Sequence, residues 1–115
     1  MNRKVETDEY RIWFESESAT LHMEGRLRLD GMQEYEPVMN LLLEAVEQQP
    51  VCTLNLKDLE FLNSSGISML SMFVVKVRNK GDVKLLLQGS SKILWQTKSL
   101  KNLQRLMPSI QLDFV

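Results

Sequence analysis

Apolar residues in this chain recur at two different periods, and the order in which those periods alternate restricts the fold more than any single motif does. Tyr10, Ile12 and Phe14 alternate with Arg11, Trp13 and Glu15. Leu21, Met23, Leu27 and Leu29 then alternate with His22, Glu24, Arg26 and Arg28. A period of two is that of a strand with one wet face, because successive side chains point to opposite sides of a sheet. Glu17 and Ser18 between the two runs predict a hairpin turn. After Asp30 and Gly31 the period lengthens, and Tyr35, Val38, Met39, Leu42, Ala45 and Val46 fall on one helical stripe. Pro37 is expected near the start of that helix, where its missing N–H has no intrahelical partner to lose.

The alternation continues to the C-terminus. Val51 to Leu56 reads as a short buried strand, apolar on both faces as parallel strands are. Ile67, Leu70, Phe73, Val74 and Val77 form a second helical stripe, closed by Asn79, Lys80 and Gly81. Val83 to Leu87 is another strand. Gly89, Ser90 and Ser91 are expected to cap a third helix with Ile93, Leu94, Leu100, Leu103 and Leu106 inward and a bend near Lys98 and Ser99. Pro108 stops it, and Ile110, Leu112 and Phe114 alternate as a last strand. Strands alternating with helices imply parallel pairs joined by right-handed crossovers. The expected fold is α/β: a mixed, mainly parallel sheet with helices stacked mostly on one face. The chain reads as a single domain over 1–115, with residues 1–9 as a flexible lead-in.

Composition narrows the function classes. At 115 residues, 43% hydrophobic and 25% charged, the chain has enough apolar content for one packed core. Fourteen basic and fifteen acidic residues give a net charge of −1, and they read as interspersed, without a basic run or acidic tail. No field of that kind suits a polyphosphate, so nucleic acid is not the expected partner; proteins are. Cys52 is the single cysteine, which excludes an internal disulfide and a thiolate zinc cluster and points to a buried structural thiol. No signal peptide or membrane-spanning stretch is evident, so a cytoplasmic protein without membrane insertion is expected.

The informative segment runs Asn55-Leu56-Lys57-Asp58-Leu59-Glu60-Phe61-Leu62-Asn63-Ser64-Ser65-Gly66-Ile67. It reads as a strand ending, a loop over the carboxyl edge of the sheet, and a helix beginning at Asn63 to Ser65, the edge where open α/β sheets carry functional loops. This stretch resembles the signature of STAS domains, the fold of anti-sigma factor antagonists: a hydrophobic strand, an acidic residue, a short loop ending in Phe, then Asp-Ser-Ser-Gly and a helix. The order of elements is similar over nearly the whole chain, from Tyr10 to Val115. The resemblance implies a non-catalytic regulatory protein that binds an anti-sigma factor or related ATP-binding serine kinase. It also implies phosphorylation at the second serine, Ser65, with Ser64 as the second choice, reset by a phosphatase. Asn55 and Asn63 stand where the pattern carries aspartates, marking a diverged subgroup with Asn-Ser-Ser-Gly. That departure favours an alternative, a constitutive STAS scaffold in a larger complex without phosphorylation.

Read without the resemblance, Asn63, Ser64 and Ser65 are polar residues capping a helix, and Ser-Ser-Gly is a common string. The helix after them adds a second signal. At 100° per residue, Ser65, Ser68, Met69, Met72 and Lys76 turn away from the inward stripe, with Val75 at the edge, and methionine suits adaptable docking surfaces. The expected partner-binding set is therefore Asn63, Ser64, Ser65, Gly66, Ser68, Met69, Met72, Val75 and Lys76. His22, the one histidine, has no ligand-spaced companions, and no metal site or cofactor is expected. Leu62-Asn63-Ser64-Ser65-Gly66 lacks the first glycine of a nucleophile elbow, and Asp58 and Glu60 read as loop-solvating carboxylates. An enzyme ranks last, behind small-ligand sensing at the sheet edge. A monomer or weak dimer is expected; Trp13, on the wetter face of its strand, is a candidate contact residue.

Overall fold

The computed structural model describes residues 4–115. Nine elements follow one another: β1 (Lys4–Glu6), β2 (Tyr10–Glu15), β3 (Thr20–Leu27), α1 (Gly31–Gln48), β4 (Val51–Leu62), α2 (Ser64–Lys80), β5 (Lys84–Gly89), α3 (Leu94–Leu106) and β6 (Gln111–Phe114). The six strands lie in the sheet in chain order, β1 to β6. β1–β2 and β2–β3 are antiparallel, and the remaining pairs are parallel. When each parallel crossover is right-handed and each step moves one strand in the same direction, every helix lands on the same face of the sheet. The result is a two-layer α/β domain with one core, as the periodicity predicts.

That core is the inner face of the sheet meeting the helix stripes. Ile12 and Phe14 of β2, Leu21 and Met23 of β3, Leu54 and Leu56 of β4 and Leu85 and Leu87 of β5 are all buried against Tyr35, Leu42, Leu70, Phe73 and Leu100. Cys52 belongs to the same layer, and burial pushes its thiol up to about 11, so the thiol stays neutral and unreactive. Among the described residues, no helix lies over the outer sheet face. β4 accordingly alternates from Val51 to Leu56 instead of being apolar on both faces, and Val51 is half exposed.

Several boundaries differ from the sequence reading. Lys4–Glu6, within the expected flexible lead-in, form edge strand β1, pairing with Arg11 to Trp13; residues 1–3 of that lead-in lie outside the described residues. Helix α1 starts at Gly31, which places Pro37 in the second turn. Gln33, whose carbonyl a residue-37 N–H would have met, and Pro37 itself are both exposed, on the side of the helix away from the core. Helix α3 runs unbroken past Lys98 and Ser99. Its N-cap is Ile93 with no side-chain cap bond, and Leu94, expected inward, is 90% exposed.

The largest difference is in β4. Its second half, expected as a loop, stays paired with β3 as far as Leu27 and Leu62, through two register shifts. β5 pairs with β4 no further than Asn55 and Gln88, leaving the rest of that edge of β4 without a strand. The start of α3 fills the gap. Gln96, fully buried, donates from Nε2 to the carbonyls of Leu56 (2.6 Å) and Leu59 (2.9 Å). Its Oε1 accepts from Ser90 N–H at 2.8 Å. The Trp95 indole N–H donates to the carbonyls of Leu59 and Glu60 at 3.2 and 3.1 Å. A single glutamine thus stands in for a missing strand, since a buried carbonyl without a donor is costly.

Gln96→Leu, which keeps the volume but removes the amide, orphans the Leu56 carbonyl and the Ser90 N–H. Chemical denaturation should show a loss of roughly 2–4 kcal/mol. A loss below about 0.5 kcal/mol, the usual size for a surface change, would contradict this role.

Candidate functional site

The N-terminal turn of α2 is held at the carboxyl end of β4 by one side chain. Asn63 is the N-cap residue, in extended conformation with φ −78° and ψ 177°, and its Oδ1 accepts from Gly66 N–H at 2.9 Å. The same oxygen accepts from the Tyr35 hydroxyl of α1 at 2.7 Å. Burial raises the Tyr35 phenol above its ordinary range, so it remains a donor at any physiological pH. The Asn63 Nδ2 amide donates to the carbonyl of Leu29, between β3 and α1, at 2.7 Å. Asn63 N–H donates to Leu27 O at 3.2 Å, completing the tie to β3.

This geometry explains the first of the two departures from the aspartate pattern. A carboxylate at position 63 would cap α2 and accept from Tyr35, but it has no hydrogen for the Leu29 carbonyl and would set two oxygens against each other. Asn55 is also hydrogen-bonded at both ends of its amide. Its Oδ1 accepts from Lys57 N–H at 3.1 Å, and its Nδ2 lies 3.1 Å from His22 Nδ1. With the Asn55 amide donating to Nδ1, the His22 proton sits on Nε2, 2.9 Å from Glu15 Oε1. The His22 ring, then the Ser18 hydroxyl, hold the Glu15 carboxyl below the usual carboxylate range. An aspartate at 55 would keep the Lys57 contact and accept from a proton on Nδ1 instead, so this position tolerates either side chain.

Around this cap the two serines differ. Ser64 is exposed. Ser65 is half-buried, and its Oγ accepts from Gly31 N–H, at the start of α1, at 3.3 Å. Gly31 has φ +71°, a left-handed conformation that glycine adopts without strain. Gly66 is buried where α2 meets α1: a Cβ there would clash with the Leu62 side chain and lie 2.7 Å from the Tyr35 hydroxyl. The glycine after the two serines therefore lets the helices approach closely.

Of the residues expected to bind a partner, the structure brings Ser64, Ser68, Met72 and Lys76 to the outer surface of α2, with Val75 half-buried beside them. Met72 is 46% exposed. Met69 is a correction: it is fully buried and belongs to the inward stripe Gly66, Met69, Leu70, Phe73, Val74 and Val77. Ile67, expected inward, is half-buried. The stripe is rotated by a fraction of a turn, so the outward facet keeps one methionine. Gly66 also contributes no outer surface, being covered by α1.

The other candidates lie elsewhere. His22 faces the open side of the sheet with Trp13 stacked on it, ring centroids 4.7 Å apart, and the Arg11 guanidinium lies 4.3 Å over the indole. Asp58 and Glu60 are exposed on β4 rather than on a loop. Among the described residues, no group of three or more His, Cys, Asp or Glu side chains is placed to hold a metal ion, and no helix is long and apolar enough to cross a membrane. The sequence reading missed Tyr35, Leu29 and Gly31 as parts of this site. Only the Asp30–Gly31 break hinted at a special backbone there.

No family model matches the chain, and no curated protein does. Its architecture is nevertheless that of solved structures. The crystal structure of apo-SiaC from Pseudomonas aeruginosa matches with a TM-score of 0.73 at 12% identity, covering 99% of this chain and 98% of that one. A second structure of SiaC from the same organism gives 0.67 at 13% identity, over 100% and 96%. A chain of the crystal structure of diguanylate cyclase SiaD in complex with its activator SiaC gives 0.68 at 12% identity, over 99% and 97%. At such identities the likeness establishes a shared fold.

Asn63→Asp isolates the bond to Leu29. At neutral pH the variant should lose about 1–2 kcal/mol of unfolding free energy. The deficit should shrink in acid, where the protonated carboxyl regains a hydrogen to donate. A variant as stable as the wild type at pH 7, or one whose deficit grows on acidification relative to wild type, would contradict the assignment.

Proposed function

We propose that this chain is a non-catalytic regulatory protein that acts by binding a protein partner through the N-terminal end and outer face of α2, with binding controlled by phosphorylation of Ser65. The observation that carries the reading is the position of Ser65. Its hydroxyl lies in the first turn of α2, next to exposed Ser64, at a surface that continues into Ser68, Met72 and Lys76. A phosphate there would sit at the positive end of a helix dipole and add a charge of about −1.5 to −2 at the head of that surface. It would also take the place of the hydroxyl that meets Gly31 N–H, so the β3–α1 turn would feel the modification as well.

Partner class follows from two sources. The resemblance to anti-sigma factor antagonists suggests an anti-sigma factor or related ATP-binding serine kinase, with a phosphatase restoring the free serine. SiaC, which shares the fold, is the activator of a diguanylate cyclase and forms a complex with it, which widens the class to signalling enzymes. Support for a regulator over an enzyme comes from the site itself: the serines have no histidine beside them, because His22 is engaged with Glu15 and Asn55 on the opposite face of the sheet. Asn63 weighs less toward a constitutive scaffold, since its amide donates to the Leu29 carbonyl, a bond that an aspartate could not make.

Ser65→Ala and Ser65→Asp, each shown to unfold with the wild-type midpoint, test the switch. Purified from the protein's own cells, Ser65→Ala should retain a stoichiometric protein partner and Ser65→Asp should retain about tenfold less of it. Equal retention by both would reject the switch and leave a constitutive interaction module.

A further inference from the structure

Charges that read as interspersed along the sequence are segregated in the helical layer. Helix α1 carries Glu34, Glu36, Glu44 and Glu47 and no basic residue. Helices α2 and α3 carry six basic residues and no acidic one: Lys76, Arg78, Lys80, Lys98, Lys101 and Arg105. All six are exposed. Helix-dipole complementarity accounts for Arg78, Lys80 and Arg105, which occupy last turns. It does not account for Lys76, Lys98 and Lys101, which lie farther from the helix ends and form no ion pair among the described residues.

The two helices are neighbours in one layer, joined at their C-terminal ends by the Arg78 guanidinium donating to Leu106 O at 3.1 Å. Each begins at the carboxyl edge of the sheet and runs back along it, so their outer stripes are parallel. Both have the same order. On α2, exposed Met72 is followed one turn later by Lys76; on α3, Leu94, 90% exposed, is followed by Lys98, Lys101 and Arg105. An apolar side chain left in water at the head of a run of unpaired cations fits a ligand that offers both an apolar anchor and carboxylates.

We infer that the outer face of α2 and α3 is a docking surface for an acidic, amphipathic segment of a partner protein, with Met72 and Leu94 as apolar anchors and Lys76, Lys98, Lys101 and Arg105 engaging its carboxylates. This rests on the reading that the outer face of α2 binds the partner, and it assigns the partner's chemistry. A nucleic acid fits less well, because the glutamates of α1 lie on the next helix of the same layer and would repel its backbone. The sign of the surface also gives the switch a direction. A phosphate at Ser65 would stand at the head of the α2 stripe and repel an acidic partner that the unmodified face attracts.

The test is an NMR titration of the isotope-labelled full chain with a helical peptide bearing leucines on one face and glutamates on the other. Amide shifts should concentrate at the exposed positions of α2 and α3, and raising the salt to about 0.3 M should weaken binding several-fold. K98E/K101E should weaken it about tenfold, whereas Glu36→Lys with Glu47→Lys on α1 should not weaken it. Unchanged binding by K98E/K101E, shifts centred on the Trp13–His22 face of the sheet, or tighter binding of a single-stranded oligonucleotide would each overturn the inference. Running Ser65→Asp in the same titration separates the two readings. If it binds the peptide like wild type while K98E/K101E does not, the surface stands and the phosphate switch fails.

Discussion

The carboxamide of Asn63 joins three parts of the chain: the first turn of α2 through Gly66, helix α1 through Tyr35, and the β3–α1 connection through Leu29. Each bond uses a different capacity of the side chain. One oxygen takes two donors, and the nitrogen supplies what no carboxylate can. Without that tie, the N-terminal end of α2 would keep only the Asn63 N–H bond to Leu27 O and the Gly31 N–H bond to Ser65 Oγ besides its apolar packing. The geometry of the candidate switch therefore depends on an amide at a position where the resemblance leads one to expect an acid. At position 63 the amide serves the β3–α1 turn as well as the helix cap.

A second constraint comes from the length of β4. A strand that outruns its neighbour leaves buried backbone groups without partners, and Gln96 with Trp95 resolves this from the start of α3. With Trp95 and Gln96, the two residues after it, turned to the sheet edge, the first residue of α3, Leu94, is left in solvent. Sheet completion and the exposure of an apolar anchor thus have one cause. The outer layer then presents two parallel helices of one charge sign next to a third of the opposite sign. A total charge of −1 conceals that division, since it adds the two regions together.

What was legible in the sequence was what periodicity encodes. The alternation of Tyr10 to Glu15 and Leu21 to Leu27, and the helical stripes of α1 and α2, located most elements and the two-layer arrangement. β1 was not legible, because a three-residue charged strand with Val5 as its one apolar residue is held by backbone pairing. The second half of β4 reads as a loop in the sequence because the register shifts against β3 space Leu56, Leu59 and Leu62 three apart, which breaks the period of two. Periodicity alone does not place Met69, because a choice between Ile67 and Met69 turns the stripe by a fraction of a turn. Gln96 did leave a trace. It continues the spacing of Leu100 and Leu103, and a polar residue on such a stripe is a sign of a buried partner.

The candidate site was legible as a place and not as a mechanism. Asn-Ser-Ser-Gly located the helix start and the two serines, but Tyr35, Leu29 and Gly31 enter only through the fold. The account rests most directly on Ser65 being a modified residue. Phosphosite mapping by mass spectrometry, on protein isolated from its own cells with and without phosphatase treatment, measures that. The account predicts phosphate on Ser65 that phosphatase removes. A Ser65 that stays unmodified across growth and stress conditions would contradict it.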